Sequence, residues 1–154
     1  MIKLLIMDVD GTLTDGGIYY DDRGHEIKKF NVKDGAGIKM LQNHGIQTMI
    51  LTGRKSQCVT KRAEELKIDH ILQGIEDKAK YLRELVSQKG WSMQEVAYIG
   101  DDVNDLECMQ LVGHTAAPAD AVENILQIVD YVCDKKGGYG AVREYTEYLI
   151  RRNL

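Results

Sequence analysis

Proline is almost missing from this 154-residue chain. Pro118 is the only one, so little in the sequence interrupts helices. Cysteine is scarce too. Cys58, Cys108 and Cys133 are odd in number and widely spaced, with no Cys-x-x-Cys. That pattern excludes a disulfide framework and a zinc–thiolate site, and it reads as reduced core thiols. No apolar run approaches the roughly 18 residues that cross a membrane. A basic excess is also lacking: 20 Lys and Arg face 24 Asp and Glu, a formal net charge of −4, which argues against a nucleic-acid binder. The opening stretch MIKLLIMDVDG has only a short apolar run, and aspartates follow it instead of the small residues of a cleavage site. An unprocessed cytoplasmic protein is therefore expected. The composition that remains, 44% apolar and 29% charged, is that of an ordinary globular chain. Its length predicts one domain, residues 1–154, large enough for a single core. No repeat, linker or low-complexity segment stands out.

The organisation is an alternation. Ile2 to Met7 and Ile46 to Leu51 are nearly continuous apolar runs, as strands buried on both faces should be. Weaker strand candidates are Asp69 to Leu72, Val96 to Ile99, Gly113 to Ala116 and Tyr131 to Cys133. Helical faces lie between them: Ala36, Met40 and Leu41; Val59, Ala63 and Leu66; Ala79, Leu82, Leu85 and Val86; Ala121, Val122, Ile125, Leu126 and Val129; and finally Val142, Tyr145, Leu149 and Ile150. This alternation predicts an α/β fold, a doubly wound, Rossmann-like parallel sheet with helices on both faces. One stretch departs from it. Residues 15–30, DGGIYYDDRGHEIKKF, carry turn residues at Asp21 to Gly24 between apolar flanks, which predicts a β-hairpin outside the sheet, after the first strand. Ser92 to Glu95 matches a capping box, yet a strand pattern follows at once, so at most one helical turn is expected there.

Open α/β sheets bind ligands beyond the carboxyl ends of their strands. The first run is followed by Asp8, Asp10, Gly11 and Thr12; the second by Thr52, Gly53 and Arg54; the Val96 run by Gly100, Asp101, Asp102, Val103, Asn104 and Asp105; and Lys78 sits near the start of a helix. Four strand ends thus carry polar groups toward one edge. Asp8, Asp10 and Asp101 offer hard oxygen ligands suited to Mg²⁺, and without a cation they would repel one another. Thr52 and Lys78 suit a phosphoryl group. Asp8 and Asp10, two apart, would share a face of a regular strand, where one carboxylate can serve as nucleophile and the other as acid and base. Taken singly, each signal has a plainer meaning: a polar strand-to-turn junction, a Ser56 or Thr52 helix cap, a solvated lysine, a polar helix start. The ordered set is what points to catalysis. His44, before Gly45, reads as a helix C-terminal residue, and His25, His70 and His114 have no partner at a suggestive spacing.

The sequence resembles the phosphatases of the haloacid dehalogenase superfamily. Their four motifs are matched in order by DVDGTLT at Asp8 to Thr14, by Thr52-Gly53-Arg54, by Lys78 and by GDDVND at Gly100 to Asp105. The closer resemblance covers essentially the whole chain and is to the small, cap-less sugar-acid phosphatases, typified by those acting on 3-deoxy-D-manno-octulosonate 8-phosphate. Asp15-Gly16-Gly17 with the hairpin, FNVKDG at Phe30 to Gly35 and GGYGAVRE at Gly137 to Glu144 carry it, while Thr12 stands where many members have valine. The resemblance implies that Asp8 attacks phosphorus, that Asp10 protonates the leaving alkoxide and then activates water, and that Asp8, the Asp10 carbonyl and Asp101 hold Mg²⁺. It implies further that Thr52 and Lys78 bind the phosphoryl oxygens, that Asp102 and Asp105 support the metal ligands, and that the enzyme serves lipopolysaccharide biosynthesis.

The spacing agrees with a cap-less protein. Residues 11–51, 41 in all, separate Asp10 from Thr52, and 22 separate Lys78 from Asp101, too few for a lid domain of roughly 50 residues or more. The resemblance implies that neighbouring subunits of a homotetramer cover the site instead, with the hairpin central to assembly. Arg54, Gly53, Arg62 and Arg143 are candidate substrate-binding residues, with Lys136 as a further cation; Arg54 suits a sugar carboxylate. Rival readings are a phosphatase for a nonulosonate 9-phosphate, a phospho-accepting signalling domain using the same residue types in another order, and a non-catalytic binding subunit.

Overall fold

A computed structural model describes residues 1–153. In chain order the elements are β1 (Leu4–Met7), β2 (Tyr19–Tyr20), β3 (Glu26–Ile27), α1 (Val32–Asn43), β4 (Gln47–Thr52), α2 (Gln57–Leu66), β5 (His70–Gln73), α3 (Lys78–Lys89), β6 (Val96–Ile99), α4 (Leu106–Leu111), β7 (His114–Ala117), α5 (Glu123–Leu126), β8 (Tyr131–Val132) and α6 (Ala141–Asn153). Six strands form one parallel sheet in the order β5-β4-β1-β6-β7-β8. The chain winds outward from β1 in both directions, so the switch point, and the crevice it creates, lies at the carboxyl end of β1.

Alternation along the central strands sorts the core into two layers. Leu5 and Met7, Ile50, and Ala97 and Ile99 face α1, α2 and α6. Leu4 and Ile6, Met49 and Leu51, and Val96 and Tyr98 face α3, α4 and α5. Both faces of the sheet are covered, which is why these strands read as apolar runs without alternation. Among the described residues, no helix is long and apolar enough to cross a membrane.

The expected strands are all present, Val96–Ile99 with the expected bounds and the others within two residues of theirs. The hairpin forms outside the sheet, Tyr19 opposite Ile27 and Tyr20 opposite Glu26, and the Asp21 carboxylate accepts the Arg23 and His25 N–H groups at 2.9 and 2.8 Å to close the turn. The capping box at Ser92 forms in full and yields only a single 3₁₀ turn, Met93–Glu95, before β6. His44 terminates α1 as expected, its Nδ1 2.8 Å from the Met40 carbonyl.

Three expectations need correction. The buried face of α1 is Gly37, Ile38 and Leu41, while Ala36 is exposed. Its glycines allow α6 to lie against it: a Cβ on Gly37 would collide with the Thr146 hydroxyl and come within 2.9 Å of the Arg143 Cα. The Ala121–Val129 pattern is helical only over Glu123–Leu126, and Val122 is exposed. The thiols of Cys108 and Cys133 are buried, but Cys58 is only partly so.

Candidate active site

The Asp8 N–H donates to the Ile99 carbonyl at 3.1 Å, extending the β1–β6 ladder one residue past the strand. The chain then enters a wide helical turn, Val9–Leu13, closed by Thr14 N–H to the Val9 carbonyl at 3.1 Å. Asp8 and Asp10 therefore do not share a strand face, as their spacing predicts; Asp10 has left the strand, and the turn brings it back to the same cleft. Gly11 makes the turn possible. Its φ is +87°, and any Cβ there would run into the Asp101 carboxylate.

The cleft is open, about 230 Å³, and is lined by Asp8, Asp10, Thr52, Gly53, Arg54, Asp102, Val103 and Asn104. Thr52 ends β4, beside β1. Lys78 is the first residue of α3, whose N-terminus Asp77 caps by accepting the Lys80 N–H at 2.9 Å. Residues from three central strand ends and one helix start thus meet at the switch point.

Beneath the cleft lies a buried charge cluster. Lys78 Nζ donates to Asp8 Oδ1 at 3.2 Å and to Asp105 Oδ1 at 2.9 Å. The Tyr98 hydroxyl donates to the same Asp105 oxygen at 2.5 Å, and the Asp101 and Asp102 N–H groups donate to its other oxygen at 3.2 and 3.5 Å. Carboxylate oxygens of Asp8, Asp101 and Asp105 lie within 4.8 Å of one another. Both Asp105 oxygens are already filled, so Asp8 and Asp101 are the carboxylates free to hold a cation, and Asp105 anchors Lys78 and the loop. The Asp102 carboxylate accepts the Val103 N–H at 2.7 Å and so shapes that loop. The Thr12 hydroxyl donates to Asp101 Oδ1 at 3.3 Å, a hold that valine could not provide.

Burial, then the neighbouring Asp105 carboxylate, raises the Asp8 pKa well above its ordinary value, with Lys78 opposing. Burial and Asp105 likewise push Asp101 up to about 7. For Lys78, burial acts downward, but the facing Asp8 and Asp105 carboxylates outweigh it and leave the ammonium raised. One buried ammonium, paired to Asp8 and Asp105, thus stands against a cluster of three carboxylates, an excess of negative charge that a dication would offset. The free donors are all oxygen, which fits Mg²⁺.

The hairpin supplies a second charged group that the sequence alone did not single out. Lys28 Nζ lies 2.5 Å from Asp10 Oδ1 and 3.2 Å from Glu26 Oε1. Arg54 pairs with Glu26 and places its other terminal nitrogen 3.8 Å from the same Asp10 oxygen. A signal was present, because the two-residue period of extended chain puts Glu26 and Lys28 on one face. Tyr98 was likewise legible only as an apolar strand residue.

Other candidates are not brought to the cleft. Arg62 donates to Glu65 at 3.3 Å and to the Asn31 carbonyl at 3.4 Å, and it lies over the Phe30 ring beside a separate small cavity. Its helical spacing from Arg54 is offset because α2 begins only at Gln57. Arg143 donates to Glu147 at 2.5 Å on α6. Lys136 lies in the loop before α6 and does not line the cleft.

A family of haloacid dehalogenase-like hydrolases matches residues 5–75 and 71–144. This chain belongs to that family. The 3-deoxy-D-manno-octulosonate 8-phosphate phosphatase of Yersinia pestis is 44% identical over 149 residues, 97% of this chain and 80% of that protein. The corresponding enzyme of Moraxella catarrhalis, solved in complex with magnesium ion, phosphate ion and KDO, superposes with a TM-score of 0.94 at 43% identity, covering 97% of this chain and 86% of that one. The cobalt-bound form of the Haemophilus influenzae phosphatase gives 0.92 at 41% identity, with 97% and 88% covered. The family assignment agrees with the motif order read along the chain and with the parallel sheet and separate hairpin.

Proposed function

We propose that this hydrolase is a Mg²⁺-dependent phosphatase acting on a sugar-acid phosphate monoester, 3-deoxy-D-manno-octulosonate 8-phosphate, as a step of lipopolysaccharide biosynthesis. The observation that carries this reading is the cleft itself: Asp8 faces a space shared with Asp10 and Thr52, while Lys78 holds one of its oxygens from below. The 44% identity to an enzyme named for that substrate supports the choice of substrate.

In this reading the Asp8 carboxylate attacks phosphorus. The bond to the sugar oxygen breaks, and Asp10 delivers its proton to that oxygen. The products of this half are aspartyl-phosphate and the free sugar acid. Asp10, now a carboxylate, takes a proton from water; the water oxygen attacks phosphorus, and Asp8 leaves with inorganic phosphate released. Thr52, the Gly53 N–H and Lys78 hold the phosphoryl oxygens, where positioning and charge neutralisation supply most of the catalysis. Mg²⁺, held by Asp8, Asp101 and the Asp10 carbonyl, supplies further neutralisation of the phosphoryl charge. Asp102 and Asp105 fix the loop that presents Asp101. Arg54 is the cation placed to take the sugar carboxylate, exchanging Glu26 for it. Arg62 and Arg143 have partners within the chain and contribute only if assembly redirects them.

Residues 1–154 form one catalytic domain in this reading, and the enzyme is a homotetramer joined through the hairpin. The hairpin exposes Ile18, Tyr20 and Ile27 beside the cleft, an apolar surface in need of cover. In this reading a neighbouring copy covers the open cleft beside that surface. The free cysteines fit a reducing cytoplasm.

The test is phosphate release from a panel of sugar phosphates, with Mg²⁺ and with chelator, using Asp8→Asn as control. The expected result is Mg²⁺-dependent release that favours the eight-carbon acid and disappears in Asp8→Asn. Preference for the nine-carbon nonulosonate ester would keep the mechanism and change the substrate. A stable phosphoprotein without turnover would favour a signalling domain, and no reaction at all a binding subunit.

A further inference from the structure

We propose that Lys28 is a positioning residue for Asp10: it holds one carboxylate oxygen so that the other is presented to the leaving group and to water. The inference rests on the phosphatase reading, in which Asp10 is acid and then base. A lysine is almost never buried without a specific partner. The Lys28 side chain is only 3% exposed, although it directly follows a two-strand hairpin outside the core. Its four-carbon stem is spent on reaching Asp10, 18 residues earlier in the chain.

The contacts of Asp10 are one-sided. Lys28 at 2.5 Å and Arg54 at 3.8 Å both approach Oδ1. Among the described residues, Oδ2 is left as the oxygen available in the cleft. The backbone does little to orient this side chain: Asp10 sits in the wide turn with φ −69° and ψ 116°, outside any ladder and just before Gly11. Acid–base catalysis needs an oxygen within about 2.6–3.2 Å of the proton it moves, and a misplacement near 1 Å can cost about 100-fold. Arg54 cannot substitute for Lys28. It is farther away, more exposed and paired to Glu26, and it is the group expected to engage substrate. Glu26 fixes Lys28 from the other side at 3.2 Å, so the four side chains form a linked quartet in which Lys28 bridges the hairpin to the catalytic turn.

A residue that only folds the hairpin would affect all substrates alike. A residue that aims the acid matters most where the leaving oxygen needs a proton. The experiment compares single-turnover release of the leaving group from an alkyl sugar-acid phosphate and from p-nitrophenyl phosphate, whose leaving group departs without one. Lys28→Met is expected to slow alcohol release by about 100-fold and to leave first-turnover nitrophenolate release within a few-fold. Lys28→Arg, which keeps a cationic donor, should regain part of the lost rate. Lys28→Gln is measured alongside, with the melting midpoint of each variant, so that a misfolded Lys28→Met does not decide the matter. Equal slowing of both esters, or no slowing of either, overturns the proposal. Failure of the underlying reading looks different: Asp8→Asn would then release either leaving group as fast as the unaltered protein, and the role of Lys28 would fall with it.

Discussion

The carboxyl ends of β1 and β6 and the hairpin β2–β3 both place charged side chains at one cleft, but they hold them by different means. On the sheet side, Lys78 and Asp105 are buried, each bound by several partners, and the strands beneath belong to a core sealed on both faces. On the hairpin side, Glu26 lies on and Lys28 directly follows a strand of two residues, and Ile18, Tyr20 and Ile27 around them are 62%, 61% and 54% exposed. The floor of the cleft is preorganised by folding. The wall is organised by its own salt bridges and by whatever covers it. Chemistry common to a family belongs on the floor, and substrate choice belongs on the wall, where few core contacts constrain change.

This contrast can be broken by experiment. Lys78→Met leaves Asp8 and Asp105 buried without their ammonium, and removing one partner from a buried ion cluster costs about 3–5 kcal/mol. In a chain of this length each kcal/mol moves the melting midpoint by about 2–4 °C. Added Mg²⁺ should therefore raise the midpoint of Lys78→Met by more than that of the unaltered protein. A loss no larger than that of Lys28→Met would show that floor and wall are held alike.

A smaller effect comes from the brace behind the floor. Asp34, buried in α1, accepts the Arg143 N–H at 2.9 Å, and Gly138 N–H in the loop before α6 donates to the Thr12 carbonyl at 3.1 Å in the catalytic turn. Burial pushes the Asp34 carboxyl up to about 6 against the N–H groups of Arg143, Gly140 and Val142. An unfolded aspartate releases its proton near pH 4. Between about 4 and 6 the folded chain thus binds the extra proton, so this group's stabilisation is full in acid and is lost as pH rises through 6. Urea unfolding across that range should lose about 3 kcal/mol or less from this group, and the difference between the unaltered protein and Asp34→Asn isolates it. A flat difference would remove the brace.

The smallest effect on folding belongs to the wall. Ile18→Lys with Tyr20→Lys should change the stability of the single chain by less than about 0.5 kcal/mol while dissociating the proposed homotetramer in sedimentation. A large loss of chain stability would mean that the hairpin packs as core.

Legibility in the sequence follows the same division. Three of the four motif positions could be read because each sits at the end of an apolar run, and Lys78 because it opens the helix after one; a parallel sheet carries such ends to one edge whatever the loops do. Asp105 could be read as support for the same reason. Lys28 and Glu26 carry only the weak signal of a shared face in extended chain, because their role depends on a hairpin folding back over a turn, which local pattern does not encode. Tyr98 reads as one more core residue, since nothing in an apolar strand marks a hydroxyl that will meet a buried carboxylate. Arg62 does not join Arg54 at the cleft, because Arg54 precedes the helix: Ser56 caps α2 two residues later by accepting the Cys58 N–H at 3.2 Å.

The placement of β1 between β4 and β6 ties the lifetime of the site to that of the sheet. Met7 pairs with Ile50 on one side and Ile99 on the other, and Asp8, Thr52 and Asp101 all follow from those registers. A slip of one residue on either side would turn a strand's side chains to the opposite face and carry a ligand out of the cleft. Fraying at the edge strand β8 leaves these registers untouched, whereas any opening that reaches β1 dismantles them at once. In hydrogen-exchange terms, the amide of Asp8, bonded to Ile99, should open only with the whole molecule. The population able to react is then the population that is folded, with no partly folded form sharing the activity.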